Sequence, residues 1–507
     1  MNRTIPSPWA ALRVLLSMAV AVIAFVATAN AQQTISSSFF GFDINQWYGP
    51  NGPTGELWPD EVGVSFGVWR SLGAQVNWDQ LVMPNGTGCQ YDFTKFDAYA
   101  KQATDSNEDI LYTVFETPGC ANENMPNNVP PSDVFSGDNY WIDFITQLYT
   151  HSQNLGHHIK YWECWNEPNI YGVHGSWYGT IAQLQQMCSD LHATIHWLDQ
   201  IKGDVYVLTP PWSAAPAPNL PQSQRDCLSF LSTTGWLVGS GDVPDTCNST
   251  TCTEFQQYLE WPQGTALPGI KSADIVSFHS YLSPDQTQAI NVWGINPNTQ
   301  EPNCANANVP YVTNHVEDIA TAVENALGVS PPLPIVSTEG SNNGVNNSTY
   351  GDTNNPEESA AFLAQYFVSF MDRGVSNVTW FGYDYSGGYG LLENPGTSSP
   401  TLDENGEAYV NLYKWTDGNS ITNAQYVYQG TTIYGVNLTY NNHPALILWD
   451  DSQTCLINEP CTTGSVDVNA RGGSFTNWKD LDNNTYTILT NGNAQVGLKP
   501  VLVYQNP

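Results

Sequence analysis

The chain has 507 residues, a formal net charge of −34 and only 12% charged side chains. A chain of this length suits a large domain with a smaller appendage, and it can bury a full hydrophobic core. The excess of acidic residues argues against nucleic acid and other polyanions as partners, because like charges repel.

Residues 1–31 have the layout of a secretory signal peptide. Arg3 and Arg13 precede an apolar run from Val14 to Val26, and small residues follow at 29–31. The run is shorter than the ~20 residues of a membrane span, so we expect no membrane association after cleavage. Cleavage would leave 12 basic and 48 acidic residues, because the segment holds two of the 14 basic residues and none of the acidic ones.

The ten cysteines fit an oxidising compartment, so we predict a secreted or periplasmic protein with structural disulfides. Sequence spacing does not show spatial proximity, and the connectivity therefore stays open. The candidate pairs are Cys89 with Cys120, Cys247 with Cys252, and Cys455 with Cys461. Cysteine spacing of the zinc-binding CxxC kind is absent, and no metal or other cofactor is predicted.

From Phe39 onward, short β-branched or aromatic runs alternate with longer amphipathic segments, as in repeated βα units. The eight candidate strands are residues 39–44, 64–69, 110–115, 159–165, 205–209, 274–278, 334–338 and 378–383. The candidate helices between them are residues 93–103, 140–152, 181–198, 315–327 and 358–372. Eight such units in this length predict an α/β fold of the (β/α)8 TIM barrel type.

After Trp415 the pattern changes to alternating apolar and polar residues with turn signals between the runs. This pattern predicts a smaller antiparallel β-sandwich domain. We place the signal peptide at residues 1–31, the barrel at 32–418 and the β-sandwich at 419–507. The terminal domain is either a sugar-binding module or a structural cap, and the short link favours the cap.

Two glutamates and an asparagine lie together in YWECWNEPNI, at the end of the fourth predicted strand. In a barrel, alternate side chains point inward, and those at the C-terminal end of a strand meet a ligand. Glu163, Trp165 and Glu167 occupy alternate positions, so a continued strand would point their side chains to the same side. Glu167, the last of the three, is then expected at the barrel mouth, with Asn166 beside it. Glu163 would lie deeper, where a carboxylate needs a cation, and Arg70 is the candidate.

A second isolated carboxylate, Glu339, follows the seventh predicted strand in PIVSTEGSNN. It also belongs at the barrel mouth. Two carboxylates across a cleft for a neutral ligand can carry out glycoside hydrolysis, in which one protonates the leaving oxygen and the other attacks carbon or activates water. Either glutamate alone would favour a structural role as a helix cap or ion-pair partner. Their joint presence on strands four and seven favours catalysis.

WNEP together with the glutamate of STEG resembles the clan A glycoside hydrolases, and YWECWNEPN is similar in particular to glycoside hydrolase family 39. The resemblance covers the chain from about Phe39 to its end, through motifs. It implies that Glu167 is the general acid/base, Glu339 the nucleophile and Asn166 a donor to the sugar 2-hydroxyl. It also implies retention of anomeric configuration and carboxylates about 5 to 5.5 Å apart.

The same resemblance assigns further residues near the two glutamates. His279 and Tyr281 match a His-x-Tyr pattern in which the tyrosine hydrogen-bonds the nucleophile, although His279 also suits the core. Arg70 matches a strand-two arginine that would keep Glu339 ionised. This assignment competes with its pairing to Glu163.

Three tryptophans are candidates for stacking on sugar rings. Trp380 matches a strand-eight aromatic position that forms the floor of the sugar-binding subsite. Trp78 and Trp212 follow strands two and five. Most of the 18 tryptophans must nevertheless be core or surface residues.

Several alternatives remain open at this stage. The long loops after strands five and six favour the pocket of an exo-acting β-xylosidase or β-glucosidase over the cleft of an endo-acting glucanase, mannanase or xylanase. Transglycosylation would use the same glutamates, and a non-catalytic carbohydrate-binding barrel is a minor alternative. His192 and His196 have metal-binding spacing on a predicted helix, but a solvated helix face is favoured without a third ligand.

Overall fold

The structure is a computed structural model. It describes residues 33–44, 58–83, 88–168, 175–200, 202–211, 269–280, 333–341, 356–384, 390–395, 397, 399–429, 433–450, 452–453, 461–469, 474–488 and 492–505.

Eight parallel strands form the barrel, and each matches one of the eight predicted strands. After the short strand β1 (Gln33–Thr34), they are β2 (Phe40–Asp43), β3 (Val68–Arg70), β4 (Asp109–Val114), β5 (Ile159–Cys164), β6 (Tyr206–Leu208), β7 (Val276–His279), β8 (Ile335–Gly340) and β9 (Val378–Phe381). Their order in the sheet is β6-β5-β4-β3-β2-β9-β8-β7. The predicted (β/α)8 barrel is therefore confirmed.

The barrel closes between β6 and β7 through sparse pairing. A single parallel bridge joins Leu208 to Ile275. Three backbone hydrogen bonds support it: Thr209 N donates to Ile275 O at 3.0 Å, and Asp274 N and Ile275 N donate to Val207 O at 2.8 and 3.3 Å. This seam is the weakest-paired part of the described barrel.

Five α-helices lie within the described residues: α1 (Thr94–Ser106), α2 (Asn139–Leu155), α3 (Ile181–Leu198), α4 (Pro356–Asp372) and α5 (Glu404–Thr416). The first four match predicted helices, whereas α5 was not predicted and the predicted helix at 315–327 lies outside the described residues. Thr180 and Gln183 form a reciprocal capping box at the start of α3. Short 3-10 turns occupy Ser37–Phe39, Pro59–Val62, Trp78–Leu81 and Gly269–Ser272. Among the described residues, no helix is both long and apolar enough to cross a membrane.

The barrel interior is divided into an apolar part and a polar part. Side chains of alternate strand positions form a small buried cluster of Val68, Leu111, Leu208, Ile275 and Val336, with Tyr161 packed against it. Two residues further along their strands, Arg70, Thr113 and Glu163 replace these apolar side chains. The carboxyl ends of the strands therefore carry the polar groups, as expected for a barrel whose site lies at that end.

The chain continues into a two-stranded hairpin and a β-domain. The remaining strands are β10 (Leu392–Glu393), β11 (Thr401–Leu402), β12 (Ser420–Gln429), β13 (Ile433–Tyr440), β14 (His443–Asp450), β15 (Thr463–Asp467), β16 (Asn477–Lys479), β17 (Thr485–Thr487), β18 (Asn493–Gly497) and β19 (Val501–Tyr504). One antiparallel sheet has the order β1-β12-β13-β14-β19-β16-β17, and β15 pairs with β18. The two sheets enclose a separate apolar cluster, so the β-domain is a sandwich.

The β-domain packs directly on the barrel. Ile447 and Leu502 belong to the same buried cluster as the barrel helices, while Val503, on the other face of β19, faces the sandwich interior. Lys499 lies 2.7 Å from Glu357 of the barrel domain and 2.8 Å from Asp482 of the β-domain. In addition, β1 pairs with β12, so the first described strand belongs to the main sheet of the β-domain. These contacts favour the structural cap over a tethered module.

Two disulfides connect described residues. The predicted pair Cys89–Cys120 is present, with Cα atoms 5.5 Å apart. Cys164, at the end of β5, is bonded to Cys188 of α3, a pairing that was not predicted. Cys461 is also disulfide-bonded. The candidate partners Cys247, Cys252 and Cys455 lie outside the described residues.

Because the domains share one core, Leu502→Ala should destabilise both together. We expect a loss of about 2–5 kcal/mol in the free energy of unfolding and a single urea transition by fluorescence and circular dichroism. Val503→Ala, which removes volume from the sandwich core alone, should shift the same single transition. Two separate transitions, with only one moved by Val503→Ala, would contradict the shared core.

Candidate active site

The segment after β5 positions Asn166 and Glu167 by departing from strand geometry. Trp165 has φ 69° and Glu167 has φ 43°, both in the left-handed region that non-glycine residues rarely adopt. The expectation that Glu163, Trp165 and Glu167 share one inward face is therefore wrong for Trp165, whose ring packs on Trp177 with centroids 4.9 Å apart. The turn allows adjacent side chains, Asn166 and Glu167, to face the barrel mouth together.

Glu339 reaches the barrel interior because β8 contains a bulge. Phe278 pairs with Ser337, but the next pair is His279 with Glu339, so Thr338 is the extra residue. A bulge reverses the side-chain alternation beyond it and re-aims the following residue. Glu339 thereby takes the same inward face as His279.

Gly340 is required immediately after Glu339. A Cβ added at Gly340 would collide with the Tyr366 hydroxyl and the Ser280 carbonyl oxygen. Only glycine fits this close approach, so the Glu-Gly pair is fixed by packing as well as by the position of the carboxylate.

Arg70 is fully buried at the end of β3 and binds three acidic residues. It donates to Glu163 Oε2 from Nε at 3.0 Å and from Nη2 at 2.6 Å, and to Glu339 Oε2 from Nη1 at 2.6 Å. It also donates to Asn166 Oδ1 at 2.8 Å and to Asp43 Oδ2 at 3.4 Å. The two pairings predicted for Arg70 do not compete, because the guanidinium has five N–H groups in a planar fork.

The charges around Arg70 influence one another. Burial acts to lower the pKa of Arg70, but the carboxylates of Glu163, Asp43 and Glu339 raise it above its ordinary value, so the guanidinium stays charged. Burial raises the pKa of Asp43 well above its ordinary value; Glu339 and Glu163 add to the rise, and Arg70 opposes it. Burial therefore favours the neutral form of Asp43 more than it would for an exposed aspartate.

His279 contacts both glutamates from β7. Its Nδ1 lies 2.9 Å from Glu167 Oε1 and 3.7 Å from Glu339 Oε2. The pKa of His279 is lowered to about 4, chiefly by burial; Arg70 contributes to the lowering, and Glu339 and Glu163 oppose it. The ring is therefore neutral at ordinary pH. Its buried Nε2 has no hydrogen-bond partner in the described part of the chain, which favours a proton on Nδ1 and donation to Glu167.

Glu167 and Glu339 approach each other closely. One carboxylate oxygen from each, together with a ring nitrogen of His279, lie within 4.8 Å of one another. Such a group has the composition of a metal site. However, Arg70 already places a fixed positive charge against Glu339, so the arrangement is better suited to proton transfer than to holding a cation.

The structure corrects the roles predicted for two tryptophans. Trp380 is fully buried, and its ring stacks on Phe367 of α4 with centroids 5.9 Å apart. It points from β9 to the helix layer and cannot floor a subsite inside the barrel. Trp78 is also fully buried and stacks on Phe144 of α2 at 5.2 Å, so it is a core residue. Trp212 and Tyr281 lie outside the described residues.

Two residues at the barrel mouth were missed from the sequence. Phe381 is paired with Asp43, shares its inward parity and is half-buried, so it is the aromatic residue of β9 on the site face. Glu116 follows β4 with φ 65°. The pKa of Glu116 is raised to about 7, chiefly by burial; a hydrogen bond from Asn77 opposes the rise, and Asp79 contributes to it. A glutamate directly after the third strand was the available signal.

No protein-family model matches the chain, and no curated protein matches its sequence. Solved structures do share its fold. A family 39 glycoside hydrolase from the gut symbiont Bacteroides cellulosilyticus WH2 has a TM-score of 0.58 at 13% identity, over 94% of this chain and 82% of that one. The GH39 enzyme from Xanthomonas axonopodis pv. citri has a TM-score of 0.53 at 14% identity, over 94% and 96% of the two chains.

A GH30 endoxylanase from Clostridium papyrosolvens C71 is similar as well, with a TM-score of 0.52 at 13% identity, over 94% of this chain and 98% of that one. The protein thus shares the fold of these glycoside hydrolase structures, and in this chain that fold is a TIM barrel followed by a β-domain. At these identities the similarity is one of fold.

The lowered pKa of His279 should appear in the pH dependence of stability. The unfolded histidine titrates near pH ~6.5, so the unfolded chain binds a proton that the folded chain excludes down to pH 4 or so. The stability associated with neutral His279 is therefore present above pH ~6.5 and is lost as the pH falls towards about 4.

We expect the wild type to lose about 3 kcal/mol relative to His279→Gln between about pH 7 and pH 4, measured by urea unfolding. The glutamine keeps polar atoms but removes the titration of the imidazole, so titrating groups that do not contact residue 279 cancel in the comparison. Parallel pH profiles for the two proteins would show that His279 does not carry a lowered pKa.

Proposed function

We propose that the protein is a retaining glycoside hydrolase that cleaves β-glycosidic bonds in neutral oligo- or polysaccharides by double displacement. The observation that carries this proposal is the approach of Glu167 and Glu339 to within 4.8 Å, with Arg70 bound to one carboxylate and His279 to the other. A short separation suits retention, since inverting pairs stand about 6.5–9.5 Å apart to admit a water molecule.

The unequal surroundings of the two glutamates support different roles. Glu339 accepts a 2.6 Å hydrogen bond from the charged guanidinium of Arg70, which suits a nucleophile that must be ionised. Glu167 faces a neutral imidazole and is the more exposed of the two, with 13% of its side chain accessible against 7% for Glu339. These surroundings suit a group that gives a proton to the leaving oxygen and then takes one from water.

In the proposed reaction, Glu339 attacks the anomeric carbon while Glu167 protonates the departing glycosidic oxygen. The C–O bond breaks, and a covalent glycosyl-enzyme forms with inversion. Glu167 then deprotonates water, which displaces Glu339 with a second inversion and restores the original configuration. Arg70 holds Asn166 by its Oδ1, so the Nδ2 group is the one available to donate to a sugar 2-hydroxyl.

The proposed substrate is neutral and presents sugar rings to an aromatic surface. A strongly acidic protein would repel anionic sugars. Phe381 takes over the stacking role first predicted for Trp380. The predicted exo action depends on the loops after strands five and six, most of whose residues lie outside those described, so it stays a prediction.

Export is also part of the proposal. The disulfides Cys89–Cys120 and Cys164–Cys188 support an oxidising compartment, and the signal-like residues 1–31 would direct the chain there.

The nucleophile is tested with Glu339→Ala and activated aryl β-glycosides. We expect kcat to fall by about 10⁴-fold or more, because no covalent intermediate can form. Added azide should restore turnover and give a glycosyl azide of inverted configuration, identified by NMR. Glu407→Ala changes an exposed glutamate of α5 and should be as active as the wild type. Near-normal activity without azide would remove Glu339 from the mechanism.

The acid/base role is tested by comparing leaving groups in Glu167→Ala. Substrates with poor leaving groups should slow by about 10²–10⁴-fold because they need protonation. Aryl glycosides with acidic phenols should retain most of their rate for the first step. An equal loss for both substrate types would argue against Glu167 as the acid.

The substrate class is tested with the mature protein on a panel of aryl β-glycosides and neutral polysaccharides, with products separated by size. Monosaccharide release from an aryl glycoside would support exo action and name the sugar. Release of oligosaccharides from a polymer alone would indicate an endo-acting enzyme. Sugar binding without hydrolysis of any substrate would instead favour the non-catalytic carbohydrate-binding protein.

A further inference from the structure

A second cluster of metal-binding side chains lies at the opposite end of the barrel from Glu167 and Glu339. His192 and His196 are four residues apart near the end of α3. Asp274 lies just before β7, which begins at Val276. The three residues offer ligand atoms that all lie within 4.8 Å of one another. Asp274 is the third ligand that the sequence did not reveal.

We propose that His192, His196 and Asp274 form a site for a transition-metal ion such as Zn²⁺, with the fourth position open to water. Two imidazoles and a carboxylate are ligands that zinc accepts in tetrahedral geometry, with bonds of about 2.0–2.2 Å. The net charge of −34 favours cation binding at such a site.

The separations between donor atoms are close to those that zinc requires. Tetrahedral zinc places neighbouring ligand atoms roughly 3.3 Å apart. His196 Nε2 lies 2.9 Å from Asp274 Oδ2, and His192 Nε2 lies 3.6 Å from Asp274 Oδ1. The two imidazole rings have centroids 4.4 Å apart at an angle of 58°. Small side-chain rotations would therefore bring the three groups round one ion.

The carboxylate is already oriented by the backbone. Val207 N donates to Asp274 Oδ2 at 2.8 Å, and Asp274 N donates to Val207 O at 2.8 Å. Hydrogen bonds of this kind fix a metal-ligating carboxylate. The side chains of His192, His196 and Asp274 are 28%, 42% and 27% exposed, so an ion can reach them from solvent.

The position of the site gives it a structural role. Asp274 and Val207 lie at the β6–β7 seam, where the barrel closes through one bridge. His196 and Asp274 are 78 residues apart in sequence, so a bound ion would tie α3 to the seam and close a long loop. Metal binding to the folded state would therefore raise the stability of the barrel.

The competing interpretation is that the three side chains form an ordinary hydrogen-bonded cluster. The chain offers a matched control for this, because His151 Nε2 lies 2.6 Å from Asp97 Oδ1 elsewhere on the surface. That pair has one imidazole and one carboxylate in contact but no second histidine.

The test measures Zn²⁺ binding to the full mature chain after treatment with a chelator, by competition with a chromophoric chelator, together with thermal unfolding. We expect one Zn²⁺ per chain and a rise in Tm of a few degrees. Both effects should be lost in the double variant His192→Ala/His196→Ala. They should also be lost in Asp274→Asn, whose amide oxygen can still accept the hydrogen bond from Val207 N. His151→Ala should bind zinc like the wild type.

Absence of zinc binding by the wild type would overturn the proposal, as would binding that survives in both the double histidine variant and Asp274→Asn. Zinc that binds without raising Tm would overturn the role at the seam. If the double alanine variant fails to fold, Asp274→Asn alone decides the matter. None of these measurements depends on hydrolysis of a sugar, so their outcome is separate from that of the proposed function.

Discussion

The buried guanidinium of Arg70 is the charge on which the interior of the barrel depends. The carboxyl ends of β2, β5 and β8 bring Asp43, Glu163 and Glu339 into one small volume from which water is largely excluded. Buried carboxylates without a cation are strongly destabilising, and removal of one partner of a buried ion pair costs about 3–5 kcal/mol. One arginine with its five donors binds all three acidic residues.

The same guanidinium links stability to the proposed chemistry. Glu163 accepts hydrogen bonds from two donors of Arg70 and from Thr113 Oγ1 at 2.8 Å. It thereby fixes the orientation of the guanidinium plane from the inner side of the barrel. The remaining donors of that plane then point at Glu339 and Asn166. Glu163 is thus a positioning residue, and its carboxylate acts on the site only through Arg70.

The regular parts of this architecture could be predicted from the sequence, and the irregular parts could not. Strands buried on both faces appear as short apolar runs, and all eight could be located. Glu167 and Glu339 stood out as isolated carboxylates at strand ends. The direction of Trp380 could not be derived, because alternation along a strand gives two faces without saying which one points inward. The bulge at Thr338 and the left-handed Trp165 also change the alternation, and neither residue type signals such a conformation.

Contacts between residues distant in sequence were a second feature that could not be predicted. The disulfide between Cys164 and Cys188 and the approach of Asp274 to α3 depend on how elements distant in sequence pack, which spacing does not reveal. Both contacts involve the same helix. Cys188 fixes α3 to β5, one residue beyond Glu163, and His192 and His196 bring the end of α3 to the start of β7.

Helix α3 therefore bridges the least continuous side of the barrel. On one side, β5 carries Glu163 and leads into the strained turn that presents Glu167, where two left-handed residues cost about 1–3 kcal/mol each. On the other side, β7 carries His279, which contacts that same Glu167. Within the described residues a single bridge joins β6 to β7, and α3 contacts elements on both sides of that seam. The cross-links of this helix thus help to fix the distance between Glu167 and His279, although they lie away from the barrel mouth.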